Sequence, residues 1–381
     1  MILFLHHRYR TTGGEERAVA ALRALVRDRL GEQEELIERD SGTLAGPAAA
    51  AGLLRGGTDP DEVTAAVRAH SARVVHAHNL LPTYGWRALA AAQRAGARTV
   101  LQLHNYRLVC AVAVCFTQGQ ECTRCHGRNT GPGIRRNCRG SRAEALAYGA
   151  GIAMWQQRTV AHADAIVVPS AFALQRLRDL GAPIDDVPVH VIGHPVPATA
   201  ETSTAGAGTY ALVASRLSAE KGVDIAIDAC RRADLPLVIA GDGDQRAELE
   251  RAAAGADVRF TGAVSPEEVE RLRAGAALAI VPSRSAETFG LAAAEAMAAG
   301  VPVVGSAVGA LPELLAPDAQ VPPGDAAALA AAASARFAST TAGNADLARV
   351  REVAAPETVA EQLAAVYGDD GRPSRQVESA L

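Results

Sequence analysis

Short unbroken apolar runs alternate along this chain with longer stretches in which apolar positions recur at helical spacing. Residues 2–6 open the series, and a Gly-Gly turn and a helix over 15–29 follow. The runs at 74–76, 99–104, 165–168 and 189–192 predict further strands, with helices at 86–94, 143–161 and 171–180. Such alternation implies parallel sheet covered on both faces. Residues 197–208 (PATAETSTAGAG) hold no large apolar side chain, so nothing there can anchor a core. The alternation then restarts, with strands at 210–214, 236–240, 258–261, 278–281 and 301–305. Helices are expected between them at 223–232, 245–253, 266–274 and 291–299.

The fold class this predicts is α/β, with two Rossmann-like doubly wound sheets facing a cleft. The first domain spans 1–196 and carries an irregular Cys-rich insertion at about 105–142. A linker at 197–208 leads to a second domain at 209–355. A helix within 356–367 is placed to cross back to the first domain, and the polar tail 368–381 is expected to be disordered. At 381 residues the chain is long enough for two cores.

The net charge of −4 gives no general attraction to nucleic acid. Five residues precede the two His near the N-terminus, too few for a signal peptide. No apolar run reaches the roughly 18 residues of a membrane span. A cytoplasmic enzyme is expected, with at most peripheral contact at the inner membrane face. One bias stands out: of 38 basic residues, Lys221 is the only lysine. Arg and Lys differ in shape, hydration and reach, so a single Lys in an Arg-biased chain is a functional candidate.

Candidate chemistry should follow the strands, where ligands of doubly wound sheets bind. Arg216 and Lys221 lie between a strand's end and a helix's start, and can converge on a polyanion with help from the helix dipole. Glu295 sits in a helix made mostly of Ala, Leu and Met, where a carboxylate is costly unless something bonds to it. Glu287 lies in the preceding loop, and the backbone N–H groups of Phe289, Gly290 and Leu291 face the same cleft. Vicinal sugar hydroxyls are suitable donors to such carboxylates. Asp242-Gly243-Asp244 has a metal-binding look, but its place after a strand and before a helix favours capping.

Six Cys are present and five lie between Cys110 and Cys138. Clustering without an export signal argues against a disulfide framework. A C-x2-C pair with distant partners fits a tetrahedral structural zinc, with Cys110, Cys122, Cys125 and Cys138 as ligands; free thiols in a loop are the alternative. The same loop carries Arg124, Arg128, Arg135, Arg136, Arg139 and Arg142, a basic surface for an anionic acceptor or a solvated loop.

SRLSAEKGVD at 215–224, IAGDGD at 239–244 and the E-x7-E of Glu287 and Glu295 followed by AMAAGVPVV resemble, in order and spacing, the retaining GT-B glycosyltransferases of family 4. The resemblance covers about residues 1–367. It implies that Arg216 and Lys221 bind the diphosphate of a nucleotide-sugar donor, that Glu295 holds the ribose and that Glu287 bonds the donor sugar. It also places residues 261–264, with Gly262, near the base, Gly14 beside the diphosphate and acceptor, and His104 beside the donor sugar. His76, His78 and Asn79 follow another strand and face the acceptor side, while no role is carried onto His194. The chemistry implied is a front-face transfer to a hydroxyl-bearing acceptor, catalysed without a cofactor or metal. The acceptor class stays open among cell-envelope polysaccharide, lipid-linked sugar and natural product. Two other readings stay open, a nucleotide-sugar 2-epimerase of the same fold and a non-catalytic nucleotide-sugar-binding module.

Overall fold

The computed structural model describes residues 1–10 and 13–368. The first unit contains strands β1 (Ile2–Arg8), β2 (Glu34–Asp40), β3 (Val74–Ala77), β4 (Arg98–Gln102), β5 (Phe116–Thr117), β6 (Gln120–Glu121), β7 (Ala165–Val168) and β8 (Val189–Val191). Its helices are α1 (Gly14–Asp28), α2 (Gly46–Arg55), α3 (Pro60–Ala69), α4 (Gly85–Arg94), α5 (Gly131–Arg135), α6 (Arg142–Ala161) and α7 (Ala171–Asp179). The second unit contains β9 (Tyr210–Ala214), β10 (Leu237–Ala240), β11 (Val258–Gly262), β12 (Ala276–Val281), β13 (Val303–Ser306) and β14 (Gln320–Val321). Its helices are α8 (Val223–Ala233), α9 (Arg246–Ala252), α10 (Pro266–Ala274), α11 (Leu291–Ala298), α12 (Leu311–Leu314), α13 (Ala326–Arg336) and α14 (Thr340–Ala354), and α15 (Pro356–Gly368) follows.

Two six-stranded parallel sheets result, in the orders β2-β1-β3-β4-β7-β8 and β11-β10-β9-β12-β13-β14. The central strands β3, β4, β7 and β12 are buried at every position, as strands covered on both faces must be. The direction of winding reverses between β1 and β3 in one sheet and between β9 and β12 in the other. Connections leave a sheet on opposite faces at such a point and open a crevice at the strands' carboxyl ends. Every residue expected to carry chemistry after β9 and β12 therefore sits at a reversal.

Several elements differ from the sequence expectation. β2, α2 and α3 fill residues 34–69, and α13 and α14 follow β14, in stretches where no element was expected. Residues 197–208 are fastened down rather than loose. The N–H groups of Thr199 and Ala200 donate to Ala298 O at 3.0 and 3.3 Å, Ser203 N–H donates to the Asn344 side chain at 2.7 Å, and Ala205 is buried. Small side chains let this backbone lie directly on α11 and α14.

α15 packs on the first sheet. Val359, Leu363, Val366 and Tyr367 are buried against Ile2, Phe4, Leu22 and Val26, each worth about 1.5–3 kcal/mol relative to exposure. Arg73 and Arg98 donate to the carbonyls of Tyr367 and Val366, both at 3.0 Å, and tie down the helix end. The tail expected to be disordered lies, apart from Gly368, outside the described residues.

Candidate active site in the cleft

The loops after β9 and β12 meet at the reversal of the second sheet. Gly222 has φ +64, and a Cβ there would stand 2.2 Å from Pro282 O, so only glycine lets these loops approach so closely. Lys221 Nζ thereby donates to Glu287 Oε1 at 2.7 Å, and Ser283 Oγ donates to the same oxygen at 2.6 Å. Burial opposes the charge on Glu287, but Lys221, Ser283 and Arg216 outweigh it and hold its pKa below the usual carboxylate range. Gly309 is pressed against the Glu287 backbone; a Cβ there would be 2.3 Å from Glu287 N. Arg216 is half exposed and pairs with Glu220 at 3.1 Å. The two cations expected to bind a diphosphate are thus each paired with a carboxylate here.

Across the cleft, α1 and α11 bring their N-terminal turns together. A Cβ on Gly14 would lie 3.7 Å from Leu291 Cδ2. Arg17 on α1 reaches both carboxylate oxygens of Glu295 at 2.8 Å. Arg273, only 3% exposed, pairs with Glu295 from within the second unit and with Glu270 at 2.5 Å. The apolar helix tolerates Glu295 because two guanidinium groups neutralise it. Other bonds bridge the units. Thr288 Oγ1 donates to His104 O at 2.7 Å, Ser170 Oγ donates to Thr288 O at 2.7 Å, and Glu313 accepts from the N–H groups of Ala171 and Phe172.

These contacts set the first expected outcome. Glu295→Ala should weaken nucleotide-sugar binding about tenfold or more for each charge-assisted bond lost. It should also lower stability by roughly 3 kcal/mol, because Arg273 is left buried with one partner fewer. Glu295→Gln should recover part of the stability and little of the binding. Donor titrations and denaturant melts on both variants separate the two effects, and unchanged donor affinity in Glu295→Ala would remove Glu295 from the donor site.

The first unit contributes a row of imidazoles. His76, His78, His104 and His194 follow one another with ring centroids 4.4, 5.0 and 5.1 Å apart. His78 Nδ1 and His104 Nε2 are 2.8 Å apart and share one proton in a hydrogen bond. His194 meets the edge of Phe289 at 5.0 Å, which joins the row to the second unit. Burial lowers His76 and His104 to about 3 and takes His78 and His194 well below the ordinary value, so the row is neutral at pH 7. Near its middle, Glu15 accepts from Tyr9 Oη at 2.8 Å and Asn105 Nδ2 at 3.1 Å, while burial raises its pKa. The Arg107 guanidinium lies 4.7 Å over the Tyr9 ring. Glu16 caps α1 by accepting from Gly13 N–H at 2.7 Å.

Gly262 closes β11 with φ +74 and accepts from Gly241 N–H at 2.9 Å. Gly290 begins α11 at φ +91, and Phe289 beside it is buried. Asp242 is held by Arg246 at 3.2 Å.

Comparison with known proteins agrees with this architecture. Residues 5–194 match the model of the "Glycosyl transferase 4-like domain", and residues 208–338 that of "Glycosyl transferases group 1". The chain belongs to the GT-B glycosyltransferases of family 4. A GDP-mannose-dependent alpha-(1-6)-phosphatidylinositol dimannoside mannosyltransferase of Mycobacterium tuberculosis is 38% identical over 174 residues, 42% of this chain and 45% of that protein. A GDP-mannose-dependent alpha-mannosyltransferase of Corynebacterium glutamicum is 32% identical over 161 residues, 40% of this chain and 37% of that one. The chain thus spans less than half the length of these relatives. The crystal structure of Anabaena HepE with UDP and glucose superposes with a TM-score of 0.64 at 20% identity, covering 96% of this chain and 98% of that chain.

In this family 4 chain the cysteine loop departs from expectation. The five loop cysteines line one small cavity, yet among the described residues no three His, Cys, Asp or Glu side chains are placed to hold a metal ion. The four expected ligands Cys110, Cys122, Cys125 and Cys138 share that cavity without being drawn into such a group. Cys110 and Cys115 are free thiols joined by a hydrogen bond; Cys115 was outside the expected set, and this hydrogen bond holds the Cys110 thiol below its ordinary range. Cys125 Sγ faces Thr130 O at 3.9 Å, and Cys138 Sγ faces Thr117 Oγ1 at 3.6 Å. Of the arginines in this loop, Arg139 stacks on Tyr148 at 3.5 Å and Arg128 donates to Ala153 O at 2.8 Å. Among the described residues no helix is long and apolar enough to cross a membrane.

Sequence reasoning missed Arg17, Arg273, Ser283 and Tyr9. Only Ser283 had a usable signal, its place four residues before Glu287 after a strand.

Proposed function

We propose that this chain transfers a hexose, with retention of configuration, from a nucleotide-diphosphate sugar to a hydroxyl-bearing acceptor. The observation that carries the reading is the meeting of the α1 and α11 N-termini between Lys221–Glu287 and Glu295. Helix N-termini and two cations around one crevice make a site for a diphosphate. Arg216 and Lys221 bind that group and stabilise its departure, which is catalysis by preorganised charge. Because these cations supply the charge, the transfer needs no divalent metal, and a chelator should leave its rate unchanged. Glu287 holds the Lys221 ammonium in place and bonds the donor sugar, while Glu295 takes the ribose in exchange for Arg17. Gly14, Phe289, Gly290 and Leu291 line the phosphate path, and Gly262 flanks the base. His104, neutral, stands beside the donor sugar. The diphosphate oxygen accepts the acceptor's proton as the new bond forms on the face it leaves.

GDP-mannose is the first donor to try, since two relatives that match are mannosyltransferases dependent on it. A thermal-shift panel of GDP- and UDP-sugars tests the reading. A true donor at a hundredfold over its Kd adds about 2.7 kcal/mol, a shift of several degrees. Nuclear magnetic resonance of the product should show the donor's anomeric configuration retained. No stabilisation by any nucleotide sugar, or release of an epimerised sugar without transfer, would overturn it.

A further inference from the structure

A cavity of about 700 Å3, counted with its mouth, lies in the first unit among β3, β4, α2, α4 and α6. Part of its wall belongs to the cleft: Glu15, His78, His104 and Arg107. The rest is largely apolar, with Leu53, Leu101, Leu108 and Ile152. Leu53 and Ile152 are buried, 2% and 4% exposed, and line the cavity where α2 meets α6. The mixture of apolar wall with a few convergent polar groups is that of a small-molecule site.

The polar end is short of partners. Among the described residues, His78 Nε2, His104 Nδ1 and Arg107 Nε are buried without a hydrogen-bond partner. Buried polar atoms of this kind are costly unless a ligand meets them. The same end abuts the donor side, since His104 O accepts from Thr288, the residue after Glu287.

Another part of the wall is formed by Trp86 and Trp155, the chain's two tryptophans, with ring centroids 6.1 Å apart. The exposed Arg158 lies 5.0 and 5.4 Å from these rings, and Arg87 lies 5.8 Å from Trp86. Among the described residues, three of the five exposed large apolar side chains sit on the enclosing helices α2 and α6: Leu54, Leu146 and Met154. Indoles, arginines and exposed aliphatic groups together are what a membrane–water boundary selects.

We propose that this cavity receives the hydrocarbon chain of an amphiphilic acceptor, which enters from a membrane surface and presents its hydroxyl to the cleft beside His104. The assignment rests on the transferase reading and adds the acceptor's class to it. An acceptor made only of sugar would leave the apolar wall against water. A hydrocarbon chain gains up to about fourfold in affinity for each methylene it buries there.

Because both tryptophans line the cavity, their emission reports its occupancy directly. The full chain should be titrated with hexyl, octyl and decyl glucoside below their micelle concentrations, beside glucose and phenyl glucoside. The expected result is a saturable emission change whose affinity rises with chain length, and none with glucose. Ile152→Phe and Leu53→Phe fill the cavity and should weaken octyl glucoside binding tenfold or more. Both should keep their thermal stabilisation by nucleotide sugar, which shows that they are folded and separates this test from failure of the transferase reading. The chain-length series on the unaltered protein stands even if a variant does not fold. Phenyl glucoside binding as tightly as decyl glucoside would overturn the hydrocarbon chain in favour of a compact aglycone. No saturable change, or equal binding by folded filled variants, would overturn the cavity assignment.

Discussion

Acylation of Lys221 should abolish glycosyl transfer in proportion to its labelling. A lysine-selective reagent finds one side-chain target in this chain, besides the α-amino group of Met1. Acylation removes the charge. It therefore takes away a cation aimed at the leaving diphosphate and the ammonium that Glu287 holds at 2.7 Å. Loss of one preorganised electrostatic group typically costs about 100- to 1,000-fold in rate. Lys221 is a quarter exposed, so the reagent can reach it, and saturating nucleoside diphosphate should shield it and preserve activity together. Lys221→Arg keeps the charge but alters its reach, and reduced rather than zero activity is expected. Peptide mass spectrometry distinguishes Lys221 from Met1. Full activity with Lys221 completely acylated would show that this lysine is not the diphosphate ligand.

Below pH 6.5 the protein should lose stability steeply. Unfolded, each histidine takes a proton near 6.5. Folded, His76 and His104 hold out to about 3 and His7 to about 4, because burial disfavours the charged ring. Between those limits the unfolded chain binds more protons, so stability falls as pH falls, by about 1.4 kcal/mol per pH unit for each imidazole. Above 6.5 these rings contribute no pH dependence. At pH 5, His76 and His104 alone remove about 4 kcal/mol, a large share of the 5–15 kcal/mol typical of a folded protein. Glu16, held down to about 2, against its burial, by His6 and by the N–H groups of Tyr9 and Gly13, acts in the same direction in a lower window, losing its contribution as pH falls from about 4.5 toward 2. Thermal melts by circular dichroism across pH 4–8 measure this. A melting temperature that stays level between pH 7 and pH 5 would mean that the imidazole row takes up protons while folded.

The two sheets were legible in the sequence because their central strands are runs of Val, Ile and Leu bounded by turns, such as 278–281 and 165–168. Among the helices that escaped notice are two dominated by alanine, α2 (GPAAAAGLLR) and α13 (AAALAAAASAR). Alanine serves both buried and exposed faces, so a chain rich in it loses the contrast that periodicity needs. β2 (EELIERD) is polar at five of seven positions, as an edge strand permits, and shows no alternation to read. The candidate site divides in the same way. Lys221 stood out because lysine is otherwise absent, whereas Arg17 and Arg273 were hidden among 37 arginines. Their partner Glu295 was noticed as a carboxylate needing bonds, but which groups supply them depends on the meeting of α1 and α11. The cysteine spacing was a fair sign of proximity, since all five loop cysteines line one cavity, but it carried no sign that Cys115 would stand against Cys110.

The chain passes between the two units twice, once after β8 and once between α14 and α15. The two crossings lie side by side, with Val196 N–H donating to Ala354 O at 2.8 Å. Two adjacent strands of backbone act on a moving part as a pair of pins on one door edge. Rotation about the line through both pins stays soft, while sliding or twisting one unit against the other must stretch a crossing or break the bond between them. Such a joint reduces the motion of the halves to a single angle. Carboxylates and guanidinium groups parted by rotation about that line would return to the same partners on closing.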